Sequence, residues 1–171
     1  MCRIINRSQR KSFIGYKIAL KNKSGDYISL ATGIKYKTGE RINPANIKNA
    51  KRYSGFFRDD LMHPACSVFE PKMEGKTGVF IFMKDARSFL NDVCKFSIGF
   101  DTRLVLLRME ISENLYNAGF AQWDMIVGDK INMITEIEEI KEEVRKQIAA
   151  KYDYVRNKGF FFKPDKYSKA W

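Results

Sequence analysis

From Phe13 onward the chain alternates. Ile14, Tyr16, Ile18 and Leu20 fall on one side of an extended backbone, and Gly15, Lys17 and Ala19 fall on the other, the two-residue period of a half-buried strand. Asn22-Lys23-Ser24-Gly25-Asp26 then reads as a turn in which Gly25 supplies positive φ, and residues 27–31 read as the returning strand of a hairpin. A short extended piece, Ile34-Lys35-Tyr36, precedes a second turn at Lys37-Thr38-Gly39-Glu40. Residues 42–76 carry no period and are broken at Asn43-Pro44 and His63-Pro64, which predicts a long loop, basic as far as Arg58.

Regularity returns at residues 79–82, a buried strand by pattern. Asp85 is placed to cap a short helix with Ala86, Phe89, Leu90 and Val93 on one face. Residues 104–107, continuing to Met109 and Ile111, form the most apolar stretch and predict a central strand, and 131–137 predicts another. The spacing of Ile140, Val144, Ile148, Tyr152 and Val155 predicts a final helix from Glu138 to Arg156. Glu138, Glu139, Glu142 and Glu143 stand at its start, and Arg145, Lys146, Lys151 and Arg156 follow, an order the helix dipole favours and which we read as a solvated face. Residues 1–11 are polar and basic without an apolar period and are expected to form a loose arm; residues 12–171 are expected to form one domain. The aromatic, basic tail from Phe160 to Trp171 is expected to dock on the core. The predicted architecture is α+β: a mixed, mainly antiparallel sheet of about five strands, two helices on one face and a long basic loop.

Composition narrows the class. A chain of 171 residues with 44% apolar content is long enough for a core that needs neither disulfides nor a structural metal. The longest apolar run is residues 79–83, far short of a membrane span, and the opening residues lack an apolar stretch of signal-peptide length. Cys2, Cys66 and Cys94 share no CxxC spacing, which fits reduced thiols in a cytoplasmic protein and neither a zinc site nor a disulfide framework.

Charge changes the picture most. Residues 1–65 hold 14 Lys/Arg and 4 Asp/Glu, a net of +10 out of +11 for the whole chain. A regional cationic excess raises the local concentration of anions. Aromatics able to stack on bases lie among these charges: Tyr16, Tyr27, Tyr36, Tyr53, Phe56 and Phe57. We therefore expect a non-enzymatic binding protein for an anionic, phosphate-bearing ligand, a nucleotide or nucleotide signal, with RNA or single-stranded DNA as the alternative. The candidate ligand-binding residues are Tyr16, Lys17, Lys35, Tyr36, Lys37, Arg41, Arg52, Phe57, Arg58 and Lys76. No cofactor, metal or catalytic residue is expected; an acidic protein is the other class of partner, and self-association is left open.

Three motifs bear on other chemistry. Gly75-Lys76-Thr77 ends like a phosphate-binding P-loop, but Glu70 stands where the pattern needs glycine and a strand is predicted to follow where it needs a helix. Asp59-Asp60 and His63, near Cys66, match no nucleophile signature, and His63 is the one histidine of the chain. Glu136-Ile137-Glu138 has the Glu-x-Glu form found on a late strand of ADP-ribosyltransferases, where a carboxylate supports an oxocarbenium-like transition state; the first strand offers Tyr16-Lys17 instead of the Arg or His of that reading.

The order Ile14-Gly15-Tyr16-Lys17, Gly75-Lys76-Thr77-Gly78-Val79-Phe80, Asp85-Ala86 and the strand from Leu104 to Ile111 resembles that of small domains of phages and mobile elements. Those domains open with a Gly-Tyr-Lys strand and place an Asp-Ala helix after an aromatic strand. The resemblance covers roughly residues 13–140 and carries over no catalytic residue. It implies a phage accessory role in the host cytoplasm, such as counter-defence by stoichiometric binding of a nucleotide signal, a nucleic acid or a defence complex, the last being a protein–protein inhibitor.

Overall fold

The most apolar run of the sequence lies in the strand that shares the longest ladders with its neighbours. The computed structural model describes residues 2–30, 35–42, 76–95, 103–120 and 123–157. Among these the chain forms strands β1 (Cys2–Arg7), β2 (Ser12–Lys21), β3 (Tyr27–Ile28), β4 (Thr77–Phe80), β5 (Arg103–Ser112), β6 (Tyr116–Phe120), β7 (Trp123–Gly128) and β8 (Lys130–Ile140), with helices α1 (Met83–Lys95) and α2 (Glu142–Asn157). All strand pairs are antiparallel, in the order β1-β6-β7-β4-β2-β5-β8, with β3 beside β2.

The fold is α+β as expected, but the sheet has eight strands and not five. β1 occupies residues read as a loose arm: its backbone pairs with β6, and an edge ladder needs no apolar period. β6, Tyr-Asn-Ala-Gly-Phe, is equally without a period. The hairpin's returning strand covers only Tyr27–Ile28. β8 runs on to Ile140, so Glu138 and Glu139 belong to a strand and the helix begins at Glu142. The helix is also turned relative to the expected stripe: Val144 is exposed, whereas Arg145 is buried and Ile148 packs against the core. The predicted long loop and the aromatic tail lie outside the described residues, apart from Ile42 and Lys76 at the loop's two ends.

Both faces of β5 are buried, by strict alternation. Leu104 and Leu106 join Ile18, Leu20, Phe80, Trp123 and Met125 in a cluster covered by Ala86, Phe89 and Leu90 of α1 and by Ile148 of α2. Phe80, Phe89 and Trp123 meet there as an aromatic triangle with centroids 5.4–6.0 Å apart. Both helices thus cover one face. Val105, Leu107, Met109 and Ile111 face the other way, into a second cluster with Ala19, Val79, Ile126 and Ile131.

Chain connectivity explains what encloses the second cluster. β7 and β8 are four places apart in the sheet, about 19 Å if it were flat at roughly 4.8 Å per strand. Only Asp129 separates them in sequence, and two Cα–Cα steps span at most about 7 Å. The sheet therefore curls until the β4–β7 half lies over the β5–β8 half. At the fold of the curl, β2 and β4 share a single register pair, Tyr16 with Phe80. Gly15 makes this possible, because a Cβ there would stand 2.6 Å from the Phe80 carbonyl oxygen and from Val79 Cγ2. The face of β2 bearing Gly15, Lys17 and Ala19, expected to meet solvent, is thus turned into the curl.

The open side is crossed by residues 35–42, hereafter the strap. It starts against β3, where Tyr36 N donates to the Tyr27 carbonyl at 2.8 Å and Lys35 bridges Ile28. It ends on β8, with Gly39 N bonded to the Ile131 carbonyl, Ile42 N to the Asp129 carbonyl, and Arg41 bridging Lys130. No helix among the described residues is long and apolar enough to cross a membrane.

Because the Gly15 contact involves backbone oxygen, it cannot relax by a rotamer change. Gly15→Ala is expected to lower stability by about 1–3 kcal/mol, read as a lower thermal midpoint. An unchanged midpoint would show that the two halves do not approach this closely.

Candidate anion-binding site

The curl brings many strand ends to one place. The β5–β6 connection, Glu113-Asn114-Leu115, and the β7–β8 connection, Asp129, touch: Asp129 N donates to the Glu113 carbonyl at 3.1 Å. Gly128 permits this, since a Cβ there would press on Leu115 and the Ser112 carbonyl. Glu113 and Asn114 both hold left-handed backbone angles, φ 61° and 45°, a conformation that non-glycine residues adopt at a cost. The turn is held by hydrogen bonds: Asn114 Nδ2 donates to Asp129 Oδ2 at 2.7 Å, and Lys76 Nζ pairs with Asp129 Oδ1 and reaches the Asn114 carbonyl at 3.3 Å. Lys76 also lies 5.3 Å from the Tyr116 ring centroid.

Further cations surround this turn. Arg41 pairs with Glu113, and Lys130 Nζ lies 3.8 Å from the same carboxylate. Ser8 N bonds to the Leu115 carbonyl, Arg7 is in register with Tyr116, and Ser12 with Ser112, so the β1–β2 connection runs along the same edge with Arg7, Arg10 and Lys11 exposed. Arg10 stacks over Phe13 at 4.9 Å. Six cations (Arg7, Arg10, Lys11, Arg41, Lys76 and Lys130) thus share this strand-end face with two carboxylates, Glu113 and Asp129. Arg7, Arg10 and Lys11 make no ion pair among the described residues.

A second group lies under the strap. Lys17 Nζ donates to the Gly78 carbonyl at 2.7 Å and sits 5.7 Å from the Tyr36 ring centroid. Glu136 accepts from Lys21 Nζ at 2.7 Å and from the Tyr27 hydroxyl at 2.8 Å. These two donors, Lys21 above all, hold the Glu136 carboxyl below its ordinary pKa, while desolvation, aided by Glu136, raises that of Tyr27. Lys35 pairs with Asp26 at 2.7 Å and lowers its pKa, the larger of two hydrogen-bonding causes beside Asn22. Lys37 pairs with Glu40 at 3.3 Å.

The ten residues singled out from sequence therefore divide. Lys17, Lys35, Tyr36 and Lys37 gather at the strap, and Arg41 and Lys76 at the strand-end face. Tyr16 packs against the helix-covered cluster, on the other side of the sheet. Arg52, Phe57 and Arg58 lie outside the described residues. The residues missed were Arg7, Arg10 and Lys11, visible as a basic run but set aside as an arm, and the turn residues Glu113, Asn114 and Asp129, which carry no local signal of where they meet. Among the described residues no group of three or more His, Cys, Asp or Glu is placed to hold a metal ion.

The Glu-x-Glu pair is split by a β-bulge. Leu107 pairs with Glu136 and Leu106 with Glu138, so Ile137 is the extra residue. Glu136 consequently faces the strap, and Glu138 faces α1, where it pairs with Arg87 at 2.7 Å. The two carboxylates do not share a site.

Glu136 yields a pH prediction. Its folded-state pKa is depressed, so its contribution to stability is complete above the ordinary carboxyl value of about 4.3 and is lost as pH falls through the lower folded value. Glu136→Gln is expected to cost about 1 kcal/mol at neutral pH, with the gap from the parent protein closing in acid. Denaturant titrations across pH check this; a gap that persists below the Glu136 pKa would refute the assignment. Comparison with family models, curated proteins and solved structures finds no match for this chain, and the functional reading rests on the geometry above.

Proposed function

We propose that the protein binds an anionic, phosphate-bearing ligand, a nucleotide or a nucleic-acid strand, at its strand-end face, and does so without catalysing a reaction. The observation that carries this reading is the local imbalance of six cations against two carboxylates, with three of the cations uncommitted to any ion pair among the described residues. Guanidinium groups grip phosphate oxygens in pairs, and two of the uncommitted groups are arginines. Phe13 and Tyr116 add aromatic rings beside the cations. Ile42 and Lys76 both bond to Asp129 of this face.

The ADP-ribosyltransferase-like alternative gains no support, because Glu136 and Glu138 point to different partners on different faces. The resemblance to phage and mobile-element domains supplies a setting for the binding reading: an accessory protein acting in a host cell's cytoplasm, sequestering a nucleotide signal or a nucleic acid of a defence system.

The test is binding of a nucleotide panel and of a labelled single-stranded oligonucleotide over a salt series. Affinity is expected to fall with salt, with a slope of about 0.7 per phosphate contacted on a single strand. The triple substitution Arg7→Gln, Arg10→Gln, Lys11→Gln is expected to lower that slope by about 2. Binding that ignores both salt and the triple substitution would overturn the reading.

A further inference from the structure

The two helices cover only part of the outer sheet face. They lie over Ile18, Leu20, Leu104 and Leu106. Toward the strand ends the same face of β2 and β5 carries Ile14, Tyr16, Arg108 and Glu110, and there Ile14 is 41% exposed and Arg108 is exposed as well. Arg108 is out of character for its strand, in which residues 104–107, Met109 and Ile111 are all buried. It is in register with Tyr16 on one side and Thr135 on the other, and it makes no ion pair among the described residues. A solvated position needs only a polar residue; a planar guanidinium beside apolar neighbours offers a surface for stacking.

Register places this open patch beside the strand-end face. Lys11 adjoins Ser12, which pairs with Ser112; Ser112 pairs with Lys130, and Lys130 bridges Arg41. Three steps of roughly 4.8 Å make this row about 14 Å long, with cations at both ends and Lys130 between them. A stacked single strand rises about 3.4 Å per nucleotide, so the row matches about four nucleotides. The next row in, Ile14, Glu110 and Met133, lies about 7 Å away along the strands, and Tyr16, Arg108 and Thr135 lie about 13 Å away.

We propose that a single-stranded nucleic acid lies along this row with its bases turned onto the open part of the sheet, where Ile14 and Met133 form an apolar floor and the Arg108 guanidinium stacks on a base. Glu110 is an acceptor for base amino groups. This rests on the strand-end reading for the phosphates, whereas the bases are assigned from the sheet patch. Charge complementarity brings a polyanion to the row, and bases with flat apolar faces then meet the patch beside it. Sheets that bind single strands stack bases on their open face, and aromatic rings and guanidinium planes both serve.

The test titrates the full chain with an eight-nucleotide thymidylate strand and with an abasic strand of the same length, which keeps the phosphates and lacks the bases. The thymidylate strand is expected to bind about 10-fold tighter, and shortening it below about four nucleotides is expected to cost affinity. Arg108→Lys keeps the charge and loses the planar group. It is expected to weaken the thymidylate strand about 5-fold, with abasic binding and the melting temperature unchanged. Equal binding of the two strands, or an Arg108→Lys variant as tight on thymidylate as the parent, would refute the base platform and leave the strand-end face standing. Failure of both strands to bind removes the strand-end face as well. A dimer in solution that Ile14→Glu converts to monomer would also overturn the proposal, because the patch would then belong to a second copy of the chain.

Discussion

The two halves of the sheet meet through one residue pair, Tyr16 with Phe80, and that crossing governs the rest of the molecule. Gly15 lets the backbones approach, and Lys17 bonds the Gly78 carbonyl two residues from the point of contact. At the other limit of the curl, Asp129 forces β7 and β8 together. Between these constraints the sheet has little choice but to fold over, which encloses the second apolar cluster and leaves one side for the strap to cross. The same curl draws the ends of β1, β2, β5, β6, β7 and β8 to one face. A candidate site built from so many short connections exists only because the sheet is bent.

Much of the core was legible in the sequence. Ile18 and Leu20 of β2 and the apolar run of β5 are buried as expected, although Ile14 on the same face of β2 is exposed and Ala19 on the other is buried, and α1 begins within two residues of the expected cap. Illegible were the strands whose pairing owes nothing to an apolar period, β1 and β6. So was the true surroundings of the Gly15-Lys17-Ala19 face, since two small residues and a lysine read as solvent-facing when they are what lets another layer approach. The Glu138 start of the last helix failed for a related reason. Four glutamates suit a helix N-terminus, but two of them instead face Arg87 and Arg103 from a strand. Cross-strand partners are set by register, and register is not a local property of the sequence.

Charge shows the same division. The front half's +10 is not the charge its surface offers to a ligand, because the curl brings acidic residues of the second half against it. Lys21 meets Glu136 and Arg41 meets Glu113, each across many residues of sequence. Lys35 and Lys37 find their partners, Asp26 and Glu40, nearby. Among the described residues, Arg7, Arg10 and Lys11 along the β1–β2 connection, where the sequence placed no site, make no ion pair.

Ion pairing does not by itself remove a cation from service, and the two paired cations of the strand-end face differ. Arg41 is 71% exposed, and an exposed pair is worth about 0–1 kcal/mol, so its guanidinium can turn from Glu113 to another anion at little cost. Lys76 is 8% exposed, bonded to Asp129 and the Asn114 carbonyl, and seated by the Tyr116 ring. Withdrawing it would leave a partly buried carboxylate unpaired and release a turn with two left-handed residues. On the proposed anion-binding function, Arg7, Arg10 and Lys11 would therefore be the first groups a ligand meets, and Arg41 the next. Lys76, chosen from sequence beside the glycine and threonine of a P-loop ending, is better understood as the clamp that keeps the face in shape.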